Sequence, residues 1–469
     1  MTDDIPPSWL KVPLEEITAI NMGQSPPSAT YNVTGEGLPF FQGKAEFGEL
    51  YPTVRKFCSD PSKIADAGDV LISVRAPVGP TNLCRERSCI GRGLAAIRPH
   101  DGIPSHWLLF YLRSIEPWLA TQGTGSTFTQ ISKSDLEQID VPLAPLNEQC
   151  RIVAKLEKLL GKVDACQQRL AKIPLLLKRF RQSVLAAACS GRLTADWREQ
   201  NTGIESVNEL LARIRRKRPS SEEQKPDVVE PIPNDELPDG WTWLPLWEVL
   251  RAQNGRAFPS REYTSAGVRL LRPGNLHVSG KLDWNEDNTA LLPSRWAEDY
   301  PDFVVERGDL LMNLTAQSLK DEFLGRVCLK TDEITALLNQ RICRFKMWTG
   351  DDLRPFLFVY FKSPRFRSYV NTLDTGSLIR HMHTKQVLAH VAPIPPIAEQ
   401  QEIVKRVEAL FALADQIEAR YVKAKTYVEK LTQSILARAF HGELIPQDPN
   451  DEPAQKLLQR IKSLKEAKR

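Results

Sequence analysis

Two stretches of this chain carry apolar residues at alternating spacings of four and three. In the first they fall at Ile152, Leu156, Leu159, Val163, Cys166, Leu170, Ile173, Leu177, Phe180, Val184 and Ala187. In the second they fall at Ile403, Val407, Leu410, Ala414, Ile417, Tyr421, Ala424, Val428, Leu431 and Ile435. A heptad spacing of this kind predicts a long helix with one apolar seam, and two such seams in one chain can bury each other. The seams read as packing surfaces rather than as a ligand site. Pro145 and Pro395-Pro396 stand just before the two stretches, where a fixed φ and a missing donor are tolerated, and Gly191 and Gly442 follow them as stops. Between these limits lie about 43 residues, roughly 64 Å of helix at 1.5 Å per residue. Pro174 interrupts the first stretch and has no counterpart at Lys425, so a break near Ile173 is expected in one helix only.

The segments ahead of each helix have short alternating apolar runs punctuated by Gly and Pro, the pattern of strand-rich globular heads. Head and helix are doubled. A shift of 251 residues aligns Thr124–Leu193 with Thr375–Leu444 without a gap. Glu148-Gln149 then falls on Glu399-Gln400, Ile152-Val153 on Ile403-Val404 and Gln182-Ser183 on Gln433-Ser434. Weaker echoes lie upstream: Trp9-x-x-x-Pro13-Leu14 resembles Trp241-x-x-x-Pro245-Leu246, and Gly68-Asp69-Val70-Leu71 resembles Gly308-Asp309-Leu310-Leu311, at offsets of 232 and 240. A repeat of this size predicts two similar units whose heads have diverged. After the first helix, residues 205–218 read as a short amphipathic helix whose Leu210, Leu211 and Ile214 are echoed by Leu457, Leu458 and Ile461. Residues 219–239, rich in Pro, Glu, Asp and Ser, read as an exposed linker.

Composition narrows the class. With 469 residues, 42% hydrophobic and 26% charged, the chain is expected to hold two to four globular domains. A net charge of +4 is too mild for a protein that coats nucleic acid indiscriminately. Basic residues cluster at Arg213, Arg215, Arg216, Lys217 and Arg218 and again at Lys456, Arg460, Lys462, Lys465, Lys468 and Arg469. Such runs read first as solvated faces. Met1-Thr2-Asp3-Asp4 lacks the features of a secretory signal and no stretch is apolar enough to span a bilayer, so a cytoplasmic protein without a membrane partner is expected. The eight cysteines form no Cys-x-x-Cys pair, which favours reduced, mostly buried thiols over zinc.

Catalytic machinery is not expected. There is no Asn-Pro-Pro-aromatic or Asp-Pro-Pro-aromatic methyltransferase run and no Walker-type loop. Gly123-Thr124-Gly125-Ser126 lacks the lysine of a phosphate loop and reads as a polar turn, and His381 and His383 lack a third metal ligand.

The segments Pro142-Leu143-Ala144-Pro145-Leu146-Asn147-Glu148-Gln149 and Pro393-Ile394-Pro395-Pro396-Ile397-Ala398-Glu399-Gln400 resemble the opening of the conserved regions in type I restriction-modification specificity subunits. So do residues 177–185 and 431–440, and the head, helix, head, helix order resembles that family over essentially the whole chain. The resemblance implies an α+β fold with two mixed α/β target recognition domains separated by two long helices that form an antiparallel coiled coil, arranged as a pseudo-twofold internal repeat. It divides the chain into a first target recognition domain at 1–144, a central conserved helix at 145–190, a short helix and linker at 191–237, a second target recognition domain at 238–395, a distal conserved helix at 396–441 and a C-terminal tail with a short helix at 442–469. It further implies a non-catalytic subunit that reads a bipartite target in double-stranded DNA, with the helices as a spacer ruler. Its expected partners are two methyltransferase subunits, to which two restriction subunits can add. S-adenosylmethionine, ATP and Mg are expected on those partners and no cofactor on this chain.

Reading bases needs Arg or Lys for guanine, Asn or Gln for adenine and small hydroxyls for either. The loop just before each helix collects such residues: Ser126, Thr127, Thr129, Gln130, Ser132 and Lys133 in the first head, and Ser377, Arg380, His381, His383 and Lys385 in the second. Further candidates beside predicted strand ends are Gln42, Lys44, Arg75 and Arg92, then Arg272, Asn275, Asn313, Gln340 and Arg341. Because the two sets differ, the expected target is asymmetric. The competing readings are a coiled-coil scaffold that binds only proteins, and a self-contained methyltransferase or nuclease with an unrecognised site.

Overall fold

A computed structural model describes residues 5–100, 102–122, 130–219, 224–317, 322–348, 352–373 and 380–467. The chain divides into two units, Met1–Ala171 with Tyr421–Arg469, and Lys172–Arg420. Each therefore joins one sheet-rich head to portions of both long helices. The first heptad stretch forms two helices, Leu146–Leu170 and Ile173–Cys189, with Pro174 in the first turn of the second, so the break falls where proline removes a donor. The second stretch, without that proline, is one helix of 44 residues, Ile397–Phe440.

In the first unit a four-stranded antiparallel sheet orders Thr18–Met22, Leu94–Pro99, Val70–Ser73 and Thr81–Leu83. A five-stranded sheet lies beside it in sequence, with Leu38–Phe41 parallel to Ser88–Ile90. The second unit repeats the plan. Leu250–Asn254, Ile342–Met347, Leu310–Asn313 and Val327–Leu329 form its antiparallel sheet, and Val268–Leu271 runs parallel to Ala336–Leu338 in the other.

The cores show why helices and heads fold together. In the first unit Ile152 and Leu156 cluster with Leu436, Ala439 and Phe440 and with the head residues Trp9, Trp107 and Tyr111. The Phe440 ring meets Trp107 edge to face at 4.8 Å and Tyr111 at 5.2 Å. Ala454, Leu457, Leu458 and Ile461 of the last helix, Ala454–Ala467, complete this core. In the second unit the same place is filled by Val207, Leu210, Leu211 and Ile214 of the helix Val207–Lys217, alongside Val184, Ala188, Ile403 and Val407. The heptad stripe is thus covered where a head meets it, while Cys166, Phe180 and Ile417 remain exposed. Within the second unit the helix portions run in opposite directions. Arg181 donates to Asp415 and Glu418 at 2.7 and 2.8 Å, Arg406 pairs with Asp196 at 2.6 Å, and Arg198 pairs with Glu399 at 2.7 Å.

A buried contact fixes each head to its helix. The strand Leu10–Pro13 pairs with Asp140–Leu143, whose chain turns at Pro145 into the helix. Trp9, just ahead of that strand, donates its Nε1 to Glu148 Oε2 at 3.0 Å. The counterpart strand Thr242–Pro245 pairs with Val391–Ile394, and Trp241 Nε1 donates to Glu399 Oε2 at 2.8 Å. Gln149 and Gln400 follow and donate to the carbonyls of Ala144 and Pro395, both at 2.8 Å. At the far ends Gly191 and Gly442 take φ of 74° and 73°. A Cβ there would lie 2.4 Å from Pro238 Cγ and 2.2 Å from Pro6 Cγ, so both the left-handed turn and the close approach call for glycine.

The segment 224–237 is held to the second head rather than free: Glu230 accepts from His390 Nδ1 at 2.5 Å and Asp235 pairs with Arg365 at 2.9 Å. Four members of the basic runs are paired with acids, Arg213 with Glu205, Arg215 with Glu248 at 2.7 Å, Arg460 with Glu452 at 2.7 Å and Lys462 with Glu16 at 2.9 Å. Lys468 and Arg469 lie outside the described residues.

The two helix-opening carboxylates differ in one respect. Glu399 is closed in with Thr194 and Arg198 as well as Trp241. Among the described residues no arginine donates to Glu148, and burial raises its pKa despite the Trp9 hydrogen bond. A carboxyl with a raised folded pKa contributes most below its unfolded value, here 4.5, and loses that contribution as pH rises through the folded value. E148Q, which mimics the protonated form, is expected to melt above the parent chain at pH 8 and level with it near pH 4. E399Q is expected to melt below the parent at pH 8, by about 3 kcal/mol, because it strips the counter-charge from Arg198. Calorimetry of the full-length variants checks both.

Candidate nucleic-acid interface

Strand ends and turns bring several predicted residues of the first head onto one face. Gly91 N donates to Phe41 O at 2.8 Å, Val74 N to Gly93 O at 3.0 Å and Ile131 N to Val74 O at 3.0 Å. Arg75 bridges Gln130 across the last of these contacts. A Cβ on Gly93 would sit 2.4 Å from Gln42 O, so a glycine there lets the turn at residues 91–93 close against the end of Leu38–Phe41. Gln42, Lys44, Arg75, Arg92 and Gln130 are all exposed on this face. Beside them Gln42–Glu46 and Ala76-Pro77 line a concavity of about 520 Å³. Glu46 fixes its rim by accepting from the backbone of Gln42 at 3.3 Å and of Gly43 at 3.1 Å.

Ser132 and Lys133 are placed beside this face but are engaged locally. Ser132 caps the helix Lys133–Glu137, its Oγ accepting from Asp135 N at 3.3 Å. In return Ser132 Oγ and N donate to the Asp135 carboxylate at 2.6 and 2.8 Å and hold its pKa below the usual range. Lys133 pairs with Glu137 at 3.2 Å, one helical turn on. Ser126, Thr127, Thr129 and Ser377 lie outside the described residues.

The second head builds the same arrangement from other side chains. Asn339 N donates to Leu271 O at 3.2 Å, Leu314 N to Arg341 O at 2.9 Å and Met382 N to Leu314 O at 2.9 Å. Thr315 pairs with His381 in the short ladder with Ala316 and Arg380. Gln340, Arg341 and His381 are exposed there and Arg380 is half-buried. His383 and Lys385 follow on the helix-capping turn, with His383 N donating to Gln386 at 2.8 Å and Lys385 paired with Asp227 at 3.3 Å.

Three predicted residues of this head do not serve the face. Asn275 is fully buried and its amide locks a turn, accepting from Arg272 N at 2.8 Å and donating to Asn288 Oδ1 at 3.0 Å. Asn313 is also fully buried, donating to Thr315 O at 2.7 Å and Phe323 O at 2.9 Å. Arg272 is half-buried and donates to Asn288 O at 2.7 Å. Asparagine amides at strand ends complete irregular backbone as readily as they meet a ligand, and burial removes these two from reach of a base edge.

Two residues absent from the predicted set stand at the rim. Gln24 is exposed, its N donating to Ile90 O at 3.1 Å after Gly23 N has met Leu94 O at 2.9 Å. Arg256 occupies the counterpart place: its N donates to Leu338 O at 2.9 Å, its Nη2 donates to the Tyr300 hydroxyl at 3.0 Å and its guanidinium lies 3.9 Å over the Tyr300 ring. The sequence did carry a pointer, since Gly23 and Gly255 stand at the same 232-residue offset as Trp9 and Trp241.

Among the described residues no group of three or more His, Cys, Asp or Glu is placed to hold a metal ion, and no helix is long and apolar enough to cross a membrane. All eight cysteines are unpaired, six of them buried.

Comparison with known proteins gives this geometry a context. Residues 6–175 match the family model of the type I restriction modification DNA specificity domain. The type I restriction enzyme EcoDI specificity subunit of Escherichia coli is 28% identical over 480 residues, 98% of this chain and 96% of that one. A putative type I restriction enzyme MjaX specificity subunit of Methanocaldococcus jannaschii is 41% identical over 185 residues, 39% of this chain and 44% of that one, so this match spans less than half of the relative. A solved chain from a study of complex assembly and conformational transition in the type I R-M system shares the fold with a TM-score of 0.67, at 18% identity over 94% of this chain and 100% of that one. The family model covers the opening third of the chain, and nearly the full length is similar to named type I restriction enzyme specificity subunits.

Proposed function

We propose that the chain is the DNA sequence-specificity subunit of a type I restriction-modification complex, working in the cytoplasm, with no catalytic site of its own. One observation carries the reading: the same set of backbone hydrogen bonds recurs in both heads and displays different exposed polar side chains, Gln42, Arg75, Arg92 and Gln130 in one and Gln340, Arg341 and His381 in the other. A constant frame with variable donors and acceptors suits the reading of two unlike half-sites, since base edges are distinguished by the donor and acceptor pattern they present. Lys44, Lys133 and Lys385, exposed near these faces, suit the phosphates that fix register.

The partners follow from the same reading. Two methyltransferase subunits bring S-adenosylmethionine, and two restriction subunits add ATP-driven translocation and cleavage with Mg. In this reading the long helices form an antiparallel coiled coil within a pseudo-twofold internal repeat and act as the spacer ruler for the half-sites. At 1.5 Å per residue, the 44 residues of Ile397–Phe440 amount to about 66 Å.

Methylation of random-sequence duplex DNA by the reconstituted complex, read by single-molecule sequencing, is expected to give two unlike half-sites with a fixed gap. A complex that methylates without a gapped motif, or a chain whose assembled form shows no salt-sensitive duplex binding, would favour the protein-only scaffold instead. Insertion of four residues into each long helix adds about 6 Å while keeping nearly the same face. The gap is then expected to widen by one or two base pairs with both half-sites unchanged; an unchanged gap would remove the ruler role.

A further inference from the structure

Hydrogen bonds of the backbone align the two heads position by position where the sequences alone do not. Gly23 N reaches Leu94 O and Gly255 N reaches Ile342 O; Gln24 N reaches Ile90 O and Arg256 N reaches Leu338 O. Gly91 N and Asn339 N meet the final residues of the parallel strands, Phe41 and Leu271. Gly93 O and Arg341 O accept from Val74 N and Leu314 N, and the carbonyls of Val74 and Leu314 accept in turn from Ile131 N and Met382 N. This frame sets the turn at residues 91–93 on the turn at residues 339–341, with Arg92 and Gln340 at its two matching tips. The offset there is 248, unlike the 251 of the helices or the 232 of the opening strands, which is why no single shift of the sequence reveals the match.

Both tips are exposed, and both are anchored through the backbone rather than through the side chain. Arg92 N donates to Ser25 Oγ at 3.3 Å and Gln340 N to Arg256 O at 3.0 Å. The two side chains are those whose planar groups match the two purines: arginine spans O6 and N7 of guanine, and glutamine spans N6 and N7 of adenine. We propose that residues 92 and 340 are matching specificity-determining positions, Arg92 reading a guanine in the half-site of the first head and Gln340 an adenine at the corresponding step of the other. This rests on the DNA-reading function proposed above and adds to it a particular residue and base in each half-site. Gln24 and Arg256 flank the tips as the next matched pair; the tyrosine stacked under Arg256 holds its guanidinium in one plane.

The test uses the whole complex reconstituted with its methyltransferase subunits, on a duplex library randomised across the target, with methylated motifs read by single-molecule sequencing. R92Q is expected to lower the preference for guanine at one position of one half-site by roughly tenfold or more, leaving the other half-site and the gap as in the parent. R92K, which keeps the charge but loses the planar fork, is expected to relax the same position. Q340R is expected to replace adenine by guanine at one position of the opposite half-site. If R92Q leaves every base preference intact and only lowers the extent of methylation, with R92K restoring it, Arg92 is a phosphate contact and the inference is overturned. It is overturned equally if one substitution alters both half-sites. A parent complex with no gapped motif would overturn the functional reading itself, and is distinguished by needing no variant.

Discussion

A carboxylate closed into the first turn of each long helix holds the rest of this protein in place. Glu148 and Glu399 accept from the indoles of Trp9 and Trp241, the residues just ahead of the strand that opens each head. That strand pairs with the one leading into the helix, so a single contact fixes the entry of the head, its exit and the start of the helix. Helix N-termini favour negative charge, which offsets part of the cost of burying a carboxylate there. The residual cost is met differently in the two units. Arg198 completes the site of Glu399, while Glu148 keeps a raised pKa. The two units share a geometry without sharing its electrostatics.

From that anchor the frame of each head follows. The strands Val70–Ser73 and Leu310–Asn313 lead directly into Val74 and Leu314, whose N–H and C=O join the turn at residues 91–93 or 339–341 to the segment before the conserved helix. Gly93, Gly23 and Gly255 stand where a Cβ would come within about 2.4 Å of a carbonyl oxygen, so backbone closeness rather than side-chain packing defines the frame. A frame built from main chain leaves its exposed side chains free to diverge. Arg75 in one head and Thr315 in the other occupy the same ladder position, as do Gln130 and His381.

The helices show a similar division between constancy and variation. Both stop at a left-handed glycine packed against a proline, Gly191 on Pro238 and Gly442 on Pro6, and both hand on to a short helix that seals a head core. Only the first is broken, at Ala171-Lys172 ahead of Pro174. Its exposed seam positions, Cys166 and Phe180, lie to either side of that break.

The sequence by itself determined the long helices, their stops, the single break and the doubled plan, because each depends on local rules: heptad spacing, proline's missing donor, glycine's left-handed φ and the recurrence of Glu-Gln after a proline. It also marked the neighbourhood of the candidate faces, since polar residues beside strand ends are visible in a linear pattern. Which of those residues face outward was decided by tertiary structure alone. Asn275 and Asn313 read no differently from Gln340 in the chain, yet two are buried to complete backbone hydrogen bonds and one is exposed. Gln24 and Arg256 escaped notice because their place is set by carbonyls some 65 and 80 residues away. The match of Arg92 with Gln340 likewise needed the folded frame, because loops of unequal length shift the register between heads. Contacts that are distant in the chain and made by backbone atoms common to every residue leave no compositional trace, and only folding brings them into view.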